Sequence, residues 1–242
     1  MRMRKRPNLG PRMEKCGQLL ISAPEELRGR WAESFPGYRG LRLELGCGKG
    51  RFTADTAAAE PEMMFIALEK VPDAMILAME RVMERGIENV RFIDGDAAGL
   101  LTMFSAADGL ERIYINFCDP WPKSRDAKFR LTAPSFLRLY AELLSDGGQI
   151  HFKTDNTPLF DWSIAQLEAE GWALSELTRD LHAGGTAGVM TDYEAKFCAE
   201  GIKINRLAAT KVKGTLGTAA GELPRLRNAG LSDARGAEEE RK

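Results

Sequence analysis

The chain has 242 residues, 44% of them hydrophobic, and a formal net charge of −1. This length allows one well-buried α/β domain and leaves little for a second one. No apolar run approaches the roughly 20 residues that span a membrane, and the basic start MRMRKRP is not followed by the apolar segment of a secretory signal. We therefore expect a cytoplasmic protein without membrane association, as a monomer or a homodimer.

The cysteines and histidines are too scattered to form a redox pair or a zinc cluster. The cysteines stand at positions 16, 47, 118 and 198, and the two histidines stand at positions 151 and 182. Neither a disulfide nor a bound metal is expected.

Charge divides the chain into three parts. Residues 1–20 form a basic arm, which is either a frayed, solubilising terminus or a contact for nucleic acid. Residues 21–207 read as a single domain. Residues 208–242 are rich in glycine, alanine and charge without apolar periodicity, so we expect a disordered tail.

Hydrophobic periodicity predicts alternating helices and strands from residue 41 onward. In chain order the predicted elements are helix 24–35, strand 41–45, helix 51–59, strand 63–69, helix 72–86, strand 90–94, a weaker helix 97–105, strand 112–117, helix 132–144, strand 149–154, helix 157–170, and strands 172–178 and 197–207. The first five strands alternate with helices and are mostly apolar, which predicts a doubly wound, parallel α/β sheet. The last two strands read as a closing, hairpin-like pair.

A glycine-rich loop, Gly46 to Gly50, follows the first predicted strand. The loop lacks the Ser or Thr of a phosphate-binding P-loop, and Arg51 stands where the dinucleotide fingerprint requires Gly or Ala. Glu44, two residues before the loop, would repel pyrophosphate and attract a cationic cofactor. S-adenosylmethionine fits this requirement, because it carries ammonium and sulfonium charges and no phosphate.

Two further acids end the next two strands of the predicted sheet. Glu69 closes the second strand, where a carboxylate can accept hydrogen bonds from ribose hydroxyls. Asp96 follows the third strand, where it can accept a hydrogen bond from the adenine amine. Such acids at strand ends can also arise by chance, but three in succession favour a cofactor site.

The stretch from 112 to 131 has the strongest functional signal. The buried strand ends at Phe117, and Asp119 is then followed by Pro120-Trp121-Pro122, which forbids further strand pairing or a helix start. Four cations come next, at positions 123, 125, 128 and 130, opposed only by Asp126. A carboxylate, an aromatic ring and a basic loop in this order suit a site that holds a nucleobase and contacts phosphate.

Six motifs resemble those of the bacterial tRNA (guanine-N7)-methyltransferase family, in order and at similar spacing. They are LELGCGKGRF, ALEK, the acid Asp96, FCDPWPKSR, FKTDN at 152–156 and TDYEAKF at 191–197. The resemblance covers about residues 40–206. It implies a Rossmann-like methyltransferase sheet of seven strands, mostly parallel with a closing antiparallel strand. It also implies methyl transfer from S-adenosylmethionine to a guanosine in the tRNA variable loop.

The same resemblance implies roles for individual residues. The implied cofactor-binding residues are Glu44, Gly46, Gly48, Gly50, Glu69, Asp96 and Asp119, and Asp119 is also the candidate catalytic residue. The implied substrate-binding residues are Lys123, Asp155, Thr191, Asp192, Tyr193 and Glu194. Family members commonly carry histidine and arginine where this chain has Asp126 and Phe129, which makes its basic loop less positive.

Structural interpretations compete with several of these roles. Thr191 and Glu194 fit a helix capping box, Asp155-Asn156 fits a helix N-cap, and Trp121 can cap the core instead of stacking on a base. The four cations of the basic loop can be a solvated face.

Three other functions are compatible with parts of the sequence. An exocyclic amino-group methyltransferase acting on RNA has a similar loop after its fourth strand, although proline and tryptophan are transposed here. An NAD-dependent dehydrogenase shares the fold, but Glu44 and Arg51 argue against it. A tRNA-binding module without catalysis would keep the fold and bind RNA with a steep salt dependence.

Overall fold

The computed structural model describes residues 6–212. Its helices of four residues or more in α conformation are α1 (Leu9–Lys15), α2 (Trp31–Ser34), α3 (Arg51–Ala59), α4 (Pro72–Glu84), α5 (Leu100–Met103), α6 (Pro134–Leu143), α7 (Thr157–Ala169) and α8 (Asp192–Ala199). Its strands are β1 (Gly40–Leu45), β2 (Met63–Glu69), β3 (Val90–Asp94), β4 (Leu110–Asn116), β5 (Leu144–Thr154), β6 (Ala173–Thr178) and β7 (Asn205–Thr210). Short 3₁₀ turns connect several of these elements.

The strands form one seven-stranded sheet in the order β3-β2-β1-β4-β5-β7-β6. Neighbours from β3 to β5 pair in parallel, whereas β7 pairs antiparallel with both β5 and β6. This arrangement confirms the predicted doubly wound sheet with a closing antiparallel strand. The strand order reverses between β1 and β4, so the loops that follow these two strands open a crevice at the carboxyl edge of the sheet.

Helices cover both faces of the sheet, and each face has its own hydrophobic core. One core joins the sheet to α5, α6 and α7, with Trp31 and Phe136 fully buried in it. The other joins the sheet to α3 and α4, with Phe65 and Met79 fully buried. No helix between residues 6 and 212 is long and apolar enough to cross a membrane.

Several predicted boundaries differ from the structure. Strand β5 begins at Leu144 and not at residue 149, and the helix predicted over 97–105 is a 3₁₀ turn at Ala97–Gly99 followed by the short helix α5. The helix predicted over 24–35 is interrupted: a 3₁₀ turn covers Pro24–Leu27 and α2 begins only at Trp31, because Gly29 takes a positive φ of 79°. The strand predicted over 197–207 begins at Asn205, because residues 197–199 complete α8. Strand β7 then continues to Thr210, with Ala208 and Ala209 fully buried, past the domain end expected at 207.

The described part of the basic arm packs against the domain. Arg12 on α1 forms a two-pronged ion pair with Glu80 on α4, at 2.5 and 2.7 Å. Cys16 and Leu19 are buried, and Leu20 pairs with Phe92 along the outer edge of β3. From residue 6 to residue 20 the arm therefore extends the α4 side of the fold, while the tail from 213 lies outside the described residues.

Candidate active site

The glycine loop after β1 forms one wall of the crevice. Gly46, Gly48 and Gly50 all adopt a positive φ, which a side chain disfavours. A Cβ at Gly50 would overlap Ala78, with its Cα 2.7 Å away, so this glycine lets α4 pack against the loop. A Cβ at Gly46 or Gly48 would meet no atom within 4 Å, so the space next to these two glycines is open.

Substitution of the loop glycines separates packing from backbone conformation. We expect Gly50→Ala to lower the free energy of unfolding by about 3 kcal/mol or more, because backbone overlap adds to the strain of a positive φ. Gly46→Ala is the matched control and should lose only the ~1–2 kcal/mol of conformational strain. Urea unfolding of both variants measures the difference; equal losses would contradict the packing role of Gly50.

Glu44 lies on the floor of the crevice and is almost fully buried. Thr53 Oγ1 donates to its Oε2 at 2.5 Å, and Asn116 Nδ2 donates to its Oε1 at 3.1 Å. Burial raises the pKa of Glu44 to about 7, against the opposing effect of these two hydrogen bonds. Neither Thr53 nor Asn116 was identified as a site residue from the sequence. Asn116 is a polar residue within an apolar strand, and this was the available signal.

Glu69 and Asp96 occupy the ends of the next two strands, as predicted. The Glu69 carboxylate accepts hydrogen bonds from the backbone N–H groups of Gly48, Lys70 and Val71, at 2.9 to 3.0 Å. It therefore ties the glycine loop to the turn that begins α4. Asp96 accepts from the N–H of Ala98 at 3.0 Å and keeps its other oxygen 4.0 Å from Lys70 Nζ.

The loop after β4 forms the opposite wall and is strained. Phe117 and Trp121 have positive φ values of 53° and 42°, uncommon for bulky residues and frequent at functional sites. Between them the Asp119 side chain is exposed, and its carboxylate accepts no hydrogen bond from residues 6–212. The strain holds a free carboxylate at the carboxyl edge of the sheet.

Arg130 fixes this loop from below. Its guanidinium donates to the carbonyl oxygens of Pro120 and Trp121 at 3.0 Å and lies 4.4 Å above the ring of Trp162. Arg130 therefore has a structural role in this loop. The sequence alone also allowed it to bind phosphate. Lys123 is exposed, and no ion pair joins its amine to another described residue.

Asp155 follows the strand that pairs with the one preceding Asp119. Asn116 on β4 pairs with Lys153 on β5, and the two strands run in parallel. Asp119 and Asp155 follow these residues at the same edge. The Asp155 side chain is exposed, whereas its neighbour Asn156 caps α7 by accepting from the N–H of Leu159 at 2.8 Å.

The segment from Thr191 to Glu194 begins α8 with a capping box. Thr191 Oγ1 accepts from the Glu194 N–H at 2.9 Å, and the Glu194 carboxylate accepts in return from the Thr191 N–H at 3.2 Å. Glu194 is fully buried, and Asp192 forms an ion pair with Arg81 on α4 at 2.9 Å. Tyr193 is the member of this segment whose side chain projects into solvent, 51% exposed.

The residues of the crevice suit a cationic ligand. The Oδ1 atom of Asn116, whose amide nitrogen bonds Glu44, is buried without a hydrogen-bond partner among the described residues. Carboxylates line the floor and both walls, so the chemistry of the donor set favours positive charge. Within residues 6–212, no group of three or more His, Cys, Asp or Glu side chains is arranged to hold a metal ion.

The strand order and the acid-lined crevice define a Rossmann-like methyltransferase fold, and solved methyltransferases share it. An antibiotic-related methyltransferase aligns with a TM-score of 0.59 at 17% identity, over 78% of this chain and 94% of that one. The 16S rRNA methyltransferase KamB aligns at 0.56 and 15%, over 73% and 90%. A 16S rRNA (adenine(1408)-N(1))-methyltransferase from Catenulisporales acidiphilia aligns at 0.52 and 15%, over 79% and 92%.

A family model identifies the chain more closely. Residues 39–207 match the family Methyltransf_4, described as "Putative methyltransferase". Because the match spans well over half of the chain, the protein belongs to this family. S-adenosylmethionine is the usual methyl donor of such enzymes.

Proposed function

We propose that the protein transfers a methyl group from S-adenosylmethionine to N7 of a guanosine in the tRNA variable loop. The observation that carries this proposal is the free carboxylate of Asp119, exposed between Phe117 and Trp121 at the end of β4. Its loop, FCDPWPKSR, resembles a motif of the tRNA (guanine-N7)-methyltransferases. The structural neighbours KamB and the adenine-1408 enzyme are 16S rRNA methyltransferases by name, which supports RNA as the substrate class.

S-adenosylmethionine supplies an electrophilic methyl group on a positively charged sulfur. We propose that seven residues bind it: Glu44, Gly46, Gly48, Gly50, Glu69, Asp96 and Asp119. Gly46 and Gly48 leave room for it, whereas Gly50 contributes by letting the loop approach α4. Glu44 contributes charge from the floor of the crevice, since both of its oxygens are already bonded to protein groups.

Guanine N7 has a free lone pair and no proton, so its attack on a methyl group requires no general base. The protein must hold N7 in line with the methyl carbon and exclude water, which is worth about 7–11 kcal/mol when alignment is good. Asp119 or Asp155 can accept the N1–H and N2–H donors that distinguish guanine from adenine. Their negative charge also favours the purine as it becomes cationic.

RNA contacts are proposed for the exposed residues around these acids. Lys123 can bind phosphate, because no ion pair engages it among the described residues. Trp121 lies 5.2 Å from Phe129, and this half-buried pair offers an aromatic face for a base. Tyr193 offers a second exposed ring at the start of α8.

Methyl transfer to tRNA containing 7-deazaguanosine tests the acceptor atom. The purified protein should methylate unmodified tRNA, and the product nucleotide should map to the variable loop. Replacement of the acceptor guanosine by 7-deazaguanosine should abolish transfer, because the nucleophilic nitrogen becomes carbon. Methylation that survives the replacement would instead identify an exocyclic amino-group methyltransferase.

Lys123→Ala should weaken tRNA binding without preventing catalysis. We expect the slope of log affinity against log salt to fall by about 0.7–0.9, as for the loss of one phosphate contact. Lys203→Ala is the matched control, since that lysine is paired with Asp180 at 3.0 Å. Filter binding between low and moderate salt measures both slopes. Equal slopes in wild type and Lys123→Ala would contradict the proposed phosphate contact.

A further inference from the structure

A buried ionic cluster joins β5 to the segment that precedes α8. Lys153 Nζ donates to both carboxylate oxygens of Glu194, at 3.0 and 3.2 Å, and to the carbonyl oxygen of Val189 at 2.8 Å. The Lys153 side chain is 9% exposed and that of Glu194 is fully buried. Burial lowers the pKa of Lys153, and the neighbouring Glu194 opposes that shift.

His182 completes the cluster through both of its ring nitrogens. The N–H of Ala187 donates to Nδ1 at 3.2 Å, so this nitrogen carries no proton. The ring proton therefore lies on Nε2, which donates to Glu194 Oε1 at 2.9 Å. A single side chain thus connects the buried carboxylate to the backbone of the loop five residues further along.

The loop enclosed by these contacts has few other anchors. Residues 183–186 are exposed, and Gly185 and Gly188 adopt positive φ values of 106° and 67°. The Val189 side chain packs on the core formed with α3 and α4. Without the cluster, a glycine-rich loop of this kind would sample many conformations.

The cluster lies directly beside the crevice. Lys153 pairs with Asn116, the residue that contacts Glu44, and precedes Asp155 by two positions. On the other side, Phe197 of α8 lies 5.8 Å from Phe117 in the strained loop that presents Asp119. The loop from 183 to 190 is therefore held by β5 and α8, two elements that border the acceptor side of the crevice.

We infer that Lys153, Glu194 and His182 form a clamp that fixes the loop 183–190 as a wall of the RNA acceptor site, with His182 as a positioning residue. The inference rests on the proposed function for the identity of the acceptor. It also assigns Glu194 to the clamp instead of to RNA, because both of its oxygens are bonded to protein groups in a fully buried position. Buried ion pairs add little net stability compared with apolar packing, but they can specify one arrangement.

Substitution of His182 tests the clamp. His182→Leu removes both hydrogen bonds and should raise the KM for tRNA about tenfold, with the Kd for S-adenosylhomocysteine changed less than about twofold. His182→Gln should restore the KM to within about threefold of wild type, because its amide can donate to Glu194 and accept from Ala187. His151→Gln, a change in the other histidine, should leave the KM for tRNA unaltered.

Hydrogen exchange provides a readout that does not depend on the substrate. In His182→Leu the amides of residues 183–190 should exchange about tenfold faster or more, while the sheet keeps its wild-type protection. An unchanged KM for tRNA, or unchanged exchange in this loop, would overturn the clamp. If His182→Leu does not fold, His182→Asn serves instead, because its shorter side chain cannot reach Glu194.

The wild-type protein separates the two proposals. Failure of the wild type to methylate tRNA would reject the proposed function, whereas faster exchange of 183–190 in His182→Leu than in wild type would still support the clamp. An active wild type with an unaffected His182→Leu variant would keep the function and reject the clamp.

Discussion

Asp119→Asn should reduce methyl transfer by about 100-fold or more while the protein remains folded, because it removes one preorganised charge from the reacting groups. The Asp119 carboxylate is exposed and makes no hydrogen bond with the described residues, so its loss leaves no buried group unsatisfied. We therefore expect the melting temperature to stay within about 2 °C of wild type. Single-turnover methyl transfer at saturating tRNA measures the effect on chemistry.

Two further variants assign the roles of the neighbouring acids. Asp126→Asn is the matched control in the same basic loop, since that carboxylate makes only a 3.9 Å ion pair with the exposed Arg125. It should leave the single-turnover rate within about twofold of wild type. Asp155→Asn should mainly raise the KM if Asp155 reads the guanine edge. Full activity of Asp119→Asn would reject the central role assigned to Asp119.

Glu44→Gln should stabilise the protein above pH 7 and weaken its binding of the cofactor. Burial raises the pKa of Glu44 from 4.5 to about 7, so the folded state favours the neutral form. A raised pKa gives the largest stability below the unfolded value of 4.5, and this contribution is lost as pH rises towards 7. At about 1.4 kcal/mol per pKa unit, ionisation of Glu44 destabilises the protein at pH 8 by about 3 kcal/mol.

The stability of the glutamine variant should therefore depend on pH in a defined way. Urea unfolding without cofactor should give Glu44→Gln an advantage of up to about 3 kcal/mol at pH 8, shrinking towards zero near pH 4.5. The amide can replace both carboxylate contacts, because it can donate to Thr53 and accept from Asn116. Glu25→Gln, a change at an exposed carboxylate, is the control and should show no comparable difference.

Cofactor affinity should increase with pH in the wild type, whereas the contribution of Glu44 to stability decreases. A group with a pKa near 7 is roughly one-tenth ionised at pH 6 and nine-tenths ionised at pH 8, so wild type should bind S-adenosylmethionine up to about ninefold tighter at pH 8. Glu44→Gln should lose this dependence, since it carries no titratable charge. Calorimetric titration at both pH values tests it; identical profiles in the two proteins would show that Glu44 provides no charge to the site.

The strained loop after β4 separates the two carboxylates Asp119 and Glu44 of the crevice. Phe117 and Trp121 hold positive φ values, and Arg130 stabilises this conformation by donating to the carbonyl groups of Pro120 and Trp121. The Asp119 side chain is therefore exposed to solvent at the rim of the crevice, whereas Glu44 is buried at its floor. The two carboxylates of the crevice thus have different environments: Asp119 is exposed to water, whereas burial raises the pKa of Glu44 to about 7.

The sequence by itself determined the sheet and the positions of the acids along it. Apolar strands alternating with helices whose starts and stops carry proline and glycine predict a parallel sheet, and parallel strands bring Glu69, Asp96 and Asp119 to one edge. These features depend on neighbours in the chain and on the fixed geometry of strands. The strands and the acids at their ends could therefore be predicted from short segments of the sequence.

The tertiary structure alone decided which side chains remain free. Arg130 and Lys123 look alike in a basic loop, yet Arg130 is engaged by backbone carbonyls and Lys123 is not. Glu194 lies in a substrate-like motif but is buried against Lys153 and His182, residues 41 and 12 positions away in the chain. Hydrogen-bond partners and burial arise from contacts distant in sequence, and no local pattern of residue types records them.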